Sequence, residues 1–345
     1  MSQQQACVIT NVDSFLGYAL AYRILEACQE EGSRHHQLRL LCRDRSGLEQ
    51  LEKLGGQIIC LDYRDEHKLK EAMHQVRAVM LIPEHSREMR QEGECVIRAA
   101  REANIEHMAI FSVIAADRAS EGNIIHQMYQ LEQKVKEQFR ENHCVVRTPM
   151  FNQVFYYLWP EIENKNALAL PVKEDCRWGA VNVRDVVEAV WKLAKEHQKD
   201  RGAFCGLLGS KKQLYEFTPQ RNRNGKEIAR EISEGMERKV EYRQIERHQL
   251  EQYLRGIRDD RRFRERPEEE NRSNRGSVER DRPYSFPLGR FLNDQCINLF
   301  LEFWEMANRN QVDKVSNDLE EILGRKPIEL RKYFESNRDQ FRRLR

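Results

Sequence analysis

Over its first 150 residues the chain alternates short apolar runs with longer stretches of helical periodicity. The apolar runs are ACVIT (6–10), LRLLCR (38–43), GQIICLD (56–62), AVMLIP (78–83), HMAIFSV (107–113) and HCVVRTP (143–149). Between them lie GYALAYRILEACQEEG, which ends at Gly32, SGLEQLEKLG (46–55), EHKLKEAMHQV (66–76), SREMRQEGECVIRAAREAN (86–104) and NIIHQMYQLEQKVKEQFREN (123–142). Strands that read as unbroken apolar runs are buried on both faces, and strict strand–helix alternation implies right-handed crossovers. The pattern predicts an α/β fold: a doubly wound, parallel, Rossmann-like sheet over 1–150 and a smaller mixed α/β C-terminal domain over 151–345.

After Pro149 the pattern loosens. FNQVFYYLWPEI (151–162) is aromatic-rich, WGAVNVRDVVEAVWKLAKEHQ (178–198) reads as a short strand leading into an amphipathic helix, and GKEIAREISEGMERKVEYRQI (225–245) as helix, turn and strand. Helices resume at 288–310 and close the chain. Residues 258–282 carry nine basic and eight acidic side chains, with Phe263 and Val278 as their only hydrophobes. Such a segment buries too little apolar surface to offset its ordering entropy, so it reads as a disordered charged insert, with a partner-docking segment as the alternative.

Charge and cysteine content narrow the classes. The formal net charge is +2 although 33% of residues are charged, a balance that argues against direct nucleic-acid binding. Nine cysteines are scattered with no CxxC spacing, which excludes a zinc pattern and suits reduced thiols. No apolar run reaches the ~18–20 residues of a membrane span, so the expected place is the cytoplasm, with the nucleus also open.

In a doubly wound sheet the ligand crevice lies outside the carboxyl ends of the strands, so the residues following each run carry the functional information. The first run leads into TNVDSFLG, where a dinucleotide fold would place three glycines around a pyrophosphate. Here Asn11 and Ser14 stand at the first two positions and Gly17 at the third, with Phe15 and Leu16 between them at the helix start. Asn tolerates the left-handed conformation and Ser can donate to phosphate, while Asp13 would repel phosphate unless turned away. The second run ends in Arg43-Asp44-Arg45-Ser46, and an arginine there accommodates a 2′-phosphate, favouring NADP(H) over NAD(H). Asp62 and Tyr63 follow the third run, where they would meet adenine. Ile82 and Pro83 follow the fourth, toward the nicotinamide ribose, and Ser112 closes the fifth.

Together VITNVDSFLG, LLCRDRS, LDYRD, IFSVIAAD, VVRTPMFNQ, GAVNVRDVVEAVWKL, GKEIAREISEGMERKVEYRQI and LEEILGRKPIELRKYF resemble the NmrA-like family, atypical members of the short-chain dehydrogenase/reductase superfamily. The resemblance spans nearly the whole chain outside 258–282. It implies an NAD(P)-binding domain and a smaller second domain. It also implies either a regulator that senses dinucleotide and binds a GATA-type transcription factor, or an NADPH-dependent reductase of quinones or isoflavone-like compounds. In the wider superfamily a Tyr-xxx-Lys pair supplies the proton. Here His126 takes the Tyr position and Gln130 the Lys position, so Gln130 would meet the nicotinamide ribose without a charge to tune a donor. No catalytic residue is therefore assigned. The expected function is a weakly active or inactive NAD(P)(H)-binding regulator; the alternatives are an NADPH-dependent reductase of quinone-like acceptors and a scaffold that binds no nucleotide.

Overall fold

The computed structural model describes residues 6–30, 37–201, 212–260 and 291–342, with the backbone alone for 196–201. Residue 32, where the first helical pattern ends, and residues 261–282 of the charged insert lie outside the described residues.

In chain order the described strands are β1 (Ala6–Ile9), β2 (Leu38–Cys42), β3 (Gln57–Cys60), β4 (Val76–Leu81), β5 (His107–Val113), β6 (His143–Thr148), β7 (Met150–Phe151), β8 (Ala167–Leu170), β9 (Ala180–Val181), β10 (Leu214–Glu216) and β11 (Glu241–Gln244). The described α-helices are α1 (Phe15–Glu30), α2 (Glu49–Lys53), α3 (Glu66–Ala72), α4 (Met89–Glu102), α5 (Ile124–Phe139), α6 (Val154–Lys165), α7 (Val183–Arg201), α8 (Gly225–Met236), α9 (Arg247–Asp259), α10 (Asp294–Asn308), α11 (Asp318–Leu323), α12 (Leu330–Ser336) and α13 (Arg338–Arg342).

The chain divides into two compact units, Met1–Arg147 with Val186–Glu216, and Thr148–Asp185 with Phe217–Arg345. The sequence pattern grouped all of 151–345 together; in the structure 186–216 rejoins the first unit, because β10 pairs with β6. The first unit holds a seven-stranded sheet in the order β10-β6-β5-β4-β1-β2-β3, and its strand pairs are parallel. The order reverses between β1 and β4, which makes the ends of those two strands the switch point where a ligand crevice opens. All four residues of β1 are buried, as its unbroken apolar run requires.

The second unit is mixed α/β, with two short parallel ladders, β7 with β9 and β8 with β11. The aromatic run FYYLW is buried around the whole circumference of the first part of α6. Tyr156 stacks on Phe341 with ring centroids 4.3 Å apart, Phe155 meets Phe334 edge-on at 5.2 Å, and Trp159 lies 5.1 Å from Phe341. The aromatic density that interrupts the alternating pattern thus becomes the core of this unit. Asp185 is fully buried there and accepts from the Ile328 amide at 2.7 Å and from Arg325 at 2.6 Å.

Cys28, Cys42, Cys60, Cys95, Cys144, Cys176 and Cys296 carry free thiols. Cys7 is disulfide-bonded, a correction to the expectation of thiols throughout. No described helix is long and apolar enough to cross a membrane, and no metal-binding cluster occurs among the described residues.

Candidate functional site

The turn between β1 and α1 is fastened to three neighbouring segments. Thr10 donates its backbone N–H to Met80 at 3.1 Å, and its hydroxyl both donates to the Ile82 carbonyl (3.1 Å) and accepts from the Ile82 amide (2.9 Å). The Asn11 side-chain amide donates to the same Ile82 carbonyl. Its backbone N–H donates to the Tyr63 hydroxyl at 2.7 Å, and Val12 donates to Leu41 at 3.1 Å. The turn is therefore tied to the ends of β4 and β2 and to the loop after β3.

Each missing glycine has a local substitute. Asn11 adopts φ +50°, the left-handed conformation a glycine would supply, and Asn is the side chain that best tolerates it. Ser14 caps α1: its hydroxyl accepts from the Gly17 amide (3.2 Å) and donates to the Asn11 carbonyl (2.6 Å). A Cβ on Gly17 would stand 2.0 Å from the Asn11 oxygen and 2.9 Å from Val12 Cα, so only glycine fits. Phe15 and Leu16 form the first turn of α1, whose N–H groups and positive dipole end point out of this loop.

Asp13 is turned away from the loop's amides. One of its carboxylate oxygens accepts from the backbone N–H groups of Arg43 and Asp44, each at 2.9 Å. Asp13 therefore organises the loop after β2.

Arg43 meets carboxylates from two further segments. It forms an ion pair with Glu92 of α4 and a second, at 3.4 Å, with Glu84 beyond β4, while its guanidinium sits 5.8 Å from the centre of the Tyr63 ring. Glu92 is nearly fully buried and also accepts from the Ser86 hydroxyl at 2.7 Å. Sequence reasoning missed Glu92; the available signal was an acid on the apolar face of α4 with Met89, Cys95, Val96 and Ala99.

Burial, followed by the charge of Asp13, pushes the Glu84 carboxyl up to about 7. A carboxyl raised in the folded state favours the protonated form, so this penalty is absent below the ordinary carboxylate range and complete above about 7. Stability is lost as pH rises through that window. Glu84→Gln is expected to be near neutral at pH 5 and to stabilise by about 1–2 kcal/mol at pH 8. Urea denaturation at the two pH values checks this, and an equal effect at both refutes it.

The remaining predicted residues fall into three environments. Asp62 is exposed and paired with Arg64 at 3.0 Å, which holds its carboxyl down at about 2. Tyr63 is 1% exposed and supports the turn from beneath through Asn11, so its ring offers no open face in this conformation. Ile82 and Pro83 are buried at the end of β4, with the Ile82 carbonyl committed to Thr10 and Asn11. Ser112 is buried at the end of β5. His126 and Gln130 are half-buried and one turn apart on α5, hence on one face, and the ring of Tyr129 lies 6.1 Å from that of His126.

Asn11 Oδ1, Ser112 Oγ and His126 Nδ1 are buried without a hydrogen-bond partner among the described residues. Buried polar atoms are almost always satisfied, so three orphans on segments that follow or flank the sheet's carboxyl edge fit a polar ligand bound there. The turn, the capped helix and these atoms suit a dinucleotide; the carboxylates around Arg43 oppose a 2′-phosphate.

A family model described as the NmrA-like family matches residues 19–266. The chain belongs to the NmrA-like family. The match begins beyond the β1–α1 turn, so the assignment of that turn rests on its geometry. No curated protein sequence is significantly similar to the chain. Among solved structures, it is similar to Citrobacter sp. triphenylmethane reductase complexed with NADP(H), at 13% identity and TM-score 0.70, covering 96% of this chain and 99% of that one. It is similar to the NADPH-dependent quinone oxidoreductase QOR2 of Escherichia coli complexed with NADPH, at 16% identity and TM-score 0.67, covering 95% and 98%. It is also similar to NmrA, a negative transcriptional regulator, in complex with NADP, at 11% identity and TM-score 0.63, covering 96% and 95%. These likenesses establish a shared Rossmann-like fold.

Proposed function

We propose that this protein binds a nicotinamide dinucleotide as a signal and turns it over slowly or not at all, acting on a protein partner such as a transcription regulator. The observation that carries this reading is α5, which presents His126 and Gln130 on one face in place of a tyrosine and a lysine. When bound in reduced form, the nicotinamide supplies a hydride; reduction of a carbonyl also needs a proton. Gln130 can hydrogen-bond a ribose hydroxyl, but its amide is no acid near neutral pH and places no positive charge beside a donor.

The N-terminus of α1 would face the pyrophosphate, with Gly17 allowing the close strand–helix approach and Asn11 holding the turn open. Ser14, already engaged as the helix cap, contributes mainly by orienting that terminus. Asp62 and Tyr63 border the adenine side, and Ile82, Pro83 and Ser112 the nicotinamide side. Arg43 is the residue placed to meet a 2′-phosphate. Because Glu92 already neutralises it, the preference for NADP(H) over NAD(H) is expected to be small, about tenfold or less (1.4 kcal/mol).

The test is titration of the full chain with NADP+, NADPH, NAD+ and NADH, followed by tryptophan fluorescence, with NADPH consumption measured beside a benzoquinone. Saturable binding without consumption supports the proposal. No binding up to about 1 mM ligand, weaker than about −4.1 kcal/mol, overturns it, and rapid quinone-dependent consumption replaces it with a reductase. A quinone is the informative acceptor because it needs little help with protonation. In the same titration Glu92→Gln is expected to raise the preference for NADP(H) severalfold, by releasing the Arg43 guanidinium.

A further inference from the structure

Cys42 and Cys60 are the last residues of the neighbouring parallel strands β2 and β3, and they are register partners. Their side chains project to one face, with the two sulfurs 3.3 Å apart. Register partners on adjacent strands have Cα atoms about 4.8 Å apart, inside the usual disulfide range of ~4.4–6.8 Å. The sulfurs would need to close by only about 1.3 Å to reach bonding distance. The two thiols differ in access: Cys60 is exposed on β3, the edge strand of the sheet, and Cys42 is fully buried beside it.

We propose that Cys42 and Cys60 are a modification site, a dithiol that hydrogen peroxide converts to a disulfide joining the ends of β2 and β3 and that a thiol reductant restores. The Cys60 thiolate attacks the peroxide oxygen, the O–O bond breaks, and Cys60 becomes a sulfenic acid as hydroxide leaves. Cys42 then attacks the Cys60 sulfur, the S–S bond forms, and the S–OH oxygen departs with the Cys42 proton as water. Two thiols are oxidised by two electrons and one peroxide is reduced to two waters. Burial, together with the hydrogen bond to Cys60, holds the Cys42 thiol well above its ordinary range. That raised proton affinity leaves the exposed Cys60 to react first and gives Cys42 the resolving role.

The location gives the bond a consequence. Cys42 immediately precedes Arg43 and Asp44, whose amides are held by Asp13, and Cys60 lies two residues before Asp62. A bond between the strand ends would fix the spacing of these two loops. This coupling rests on the dinucleotide reading above, whereas the bond itself does not.

The experiment is treatment of the full chain with hydrogen peroxide, alkylation under denaturing conditions and mass spectrometry of the peptides, with and without dithiothreitol. The expected result is loss of two alkylatable thiols, a cross-linked peptide pair containing Cys42 and Cys60 that is lighter by two hydrogens, and recovery of both thiols on reduction. Cys60→Ser, an exposed and conservative change, should leave Cys42 alkylatable after the same treatment. Oxidation of Cys60 to a sulfinic acid while Cys42 stays alkylatable would overturn the proposal, as would loss of the Cys42 thiol in the Cys60→Ser variant. Dinucleotide affinity of the cross-linked form is read separately: a severalfold change supports the coupling, and an unchanged affinity removes the coupling while the bond stands.

Discussion

Replacement of Gly17 by alanine is expected to destabilise the first unit by about 2 kcal/mol and to weaken dinucleotide binding by about a hundredfold or more, ~2.8 kcal/mol. Two effects oppose each other at this position. Alanine favours the helix over glycine by about 1 kcal/mol, and Gly17 lies in the first turn of α1. Against this, the new Cβ would sit 2.0 Å from the Asn11 oxygen and 2.7 Å from the Asn11 carbonyl carbon. These are backbone atoms, so no side chain can swing aside. The turn must move, and it is tied to Ile82, Leu41 and Tyr63 by the bonds that shape it. Overpacking of this kind costs about 1–3 kcal/mol and sometimes more, which outweighs the helical gain. Urea denaturation combined with the fluorescence titration measures both parts. Binding retained at the level of the unmodified chain would show that the turn is not where the pyrophosphate sits.

The second large effect is expected at Arg147, at the end of β6. It is 8% exposed and pairs with both oxygens of Glu132, at 3.0 and 2.7 Å, with Asp117 at 2.5 Å, and at 4.0 Å with Glu216 of β10. Glu132 is itself almost fully buried. Exposed ion pairs contribute about 0–1 kcal/mol, but removing one member of a buried pair strands a charge without solvent, at a cost of about 3–5 kcal/mol. Arg147→Met is therefore expected to lose that amount in urea denaturation at pH 7. Adding Glu132→Leu should restore most of it, since replacing both members by apolar groups removes the stranded charge. Losses that simply add in the double variant would mean that Glu132 is not the group left exposed to the defect.

Most of the sheet was legible because β1, β2, β4, β5 and β6 are largely buried and carry no polar alternation to confuse them, while the edge strand β3 showed itself only by its short apolar run. HMAIFSV coincides with β5 to the residue, and the other five runs differ from their strands only at the ends. The elements that escaped are short or carry weak patterns. β10 is three residues, LYE, and β8 is ALAL, neither long enough to show a period. α9 does hold a helical stripe, Leu250, Leu254 and Ile257, but that stripe is short, and the helix follows closely on a strand and overlaps the charged stretch that begins at Arg258. In the site, Asn11 and Gly17 were legible because turn chemistry is local to the chain. The partners of Arg43 were not, since Glu84 and Glu92 arrive from different elements and only tertiary structure places them together. The same holds for the bond from the Asn11 amide to the buried Tyr63 hydroxyl, which no local pattern announces.

The pairing of β10 with β6 sets a timetable for the nascent chain. The sheet is not contiguous in sequence: its outer strand arrives with residues 214–216, after the chain has already laid down β7, α6, β8, β9 and α7. At ribosomal rates of about 5–20 residues per second, β6 waits several seconds with its outer row of backbone groups unpaired. Arg147 spends the same interval without Glu216. An unpaired strand edge next to an unfinished charge cluster is a template for association with other chains. A chain terminated or cleaved near residue 150 would be held permanently at that stage, a substrate for holding chaperones rather than a smaller working domain.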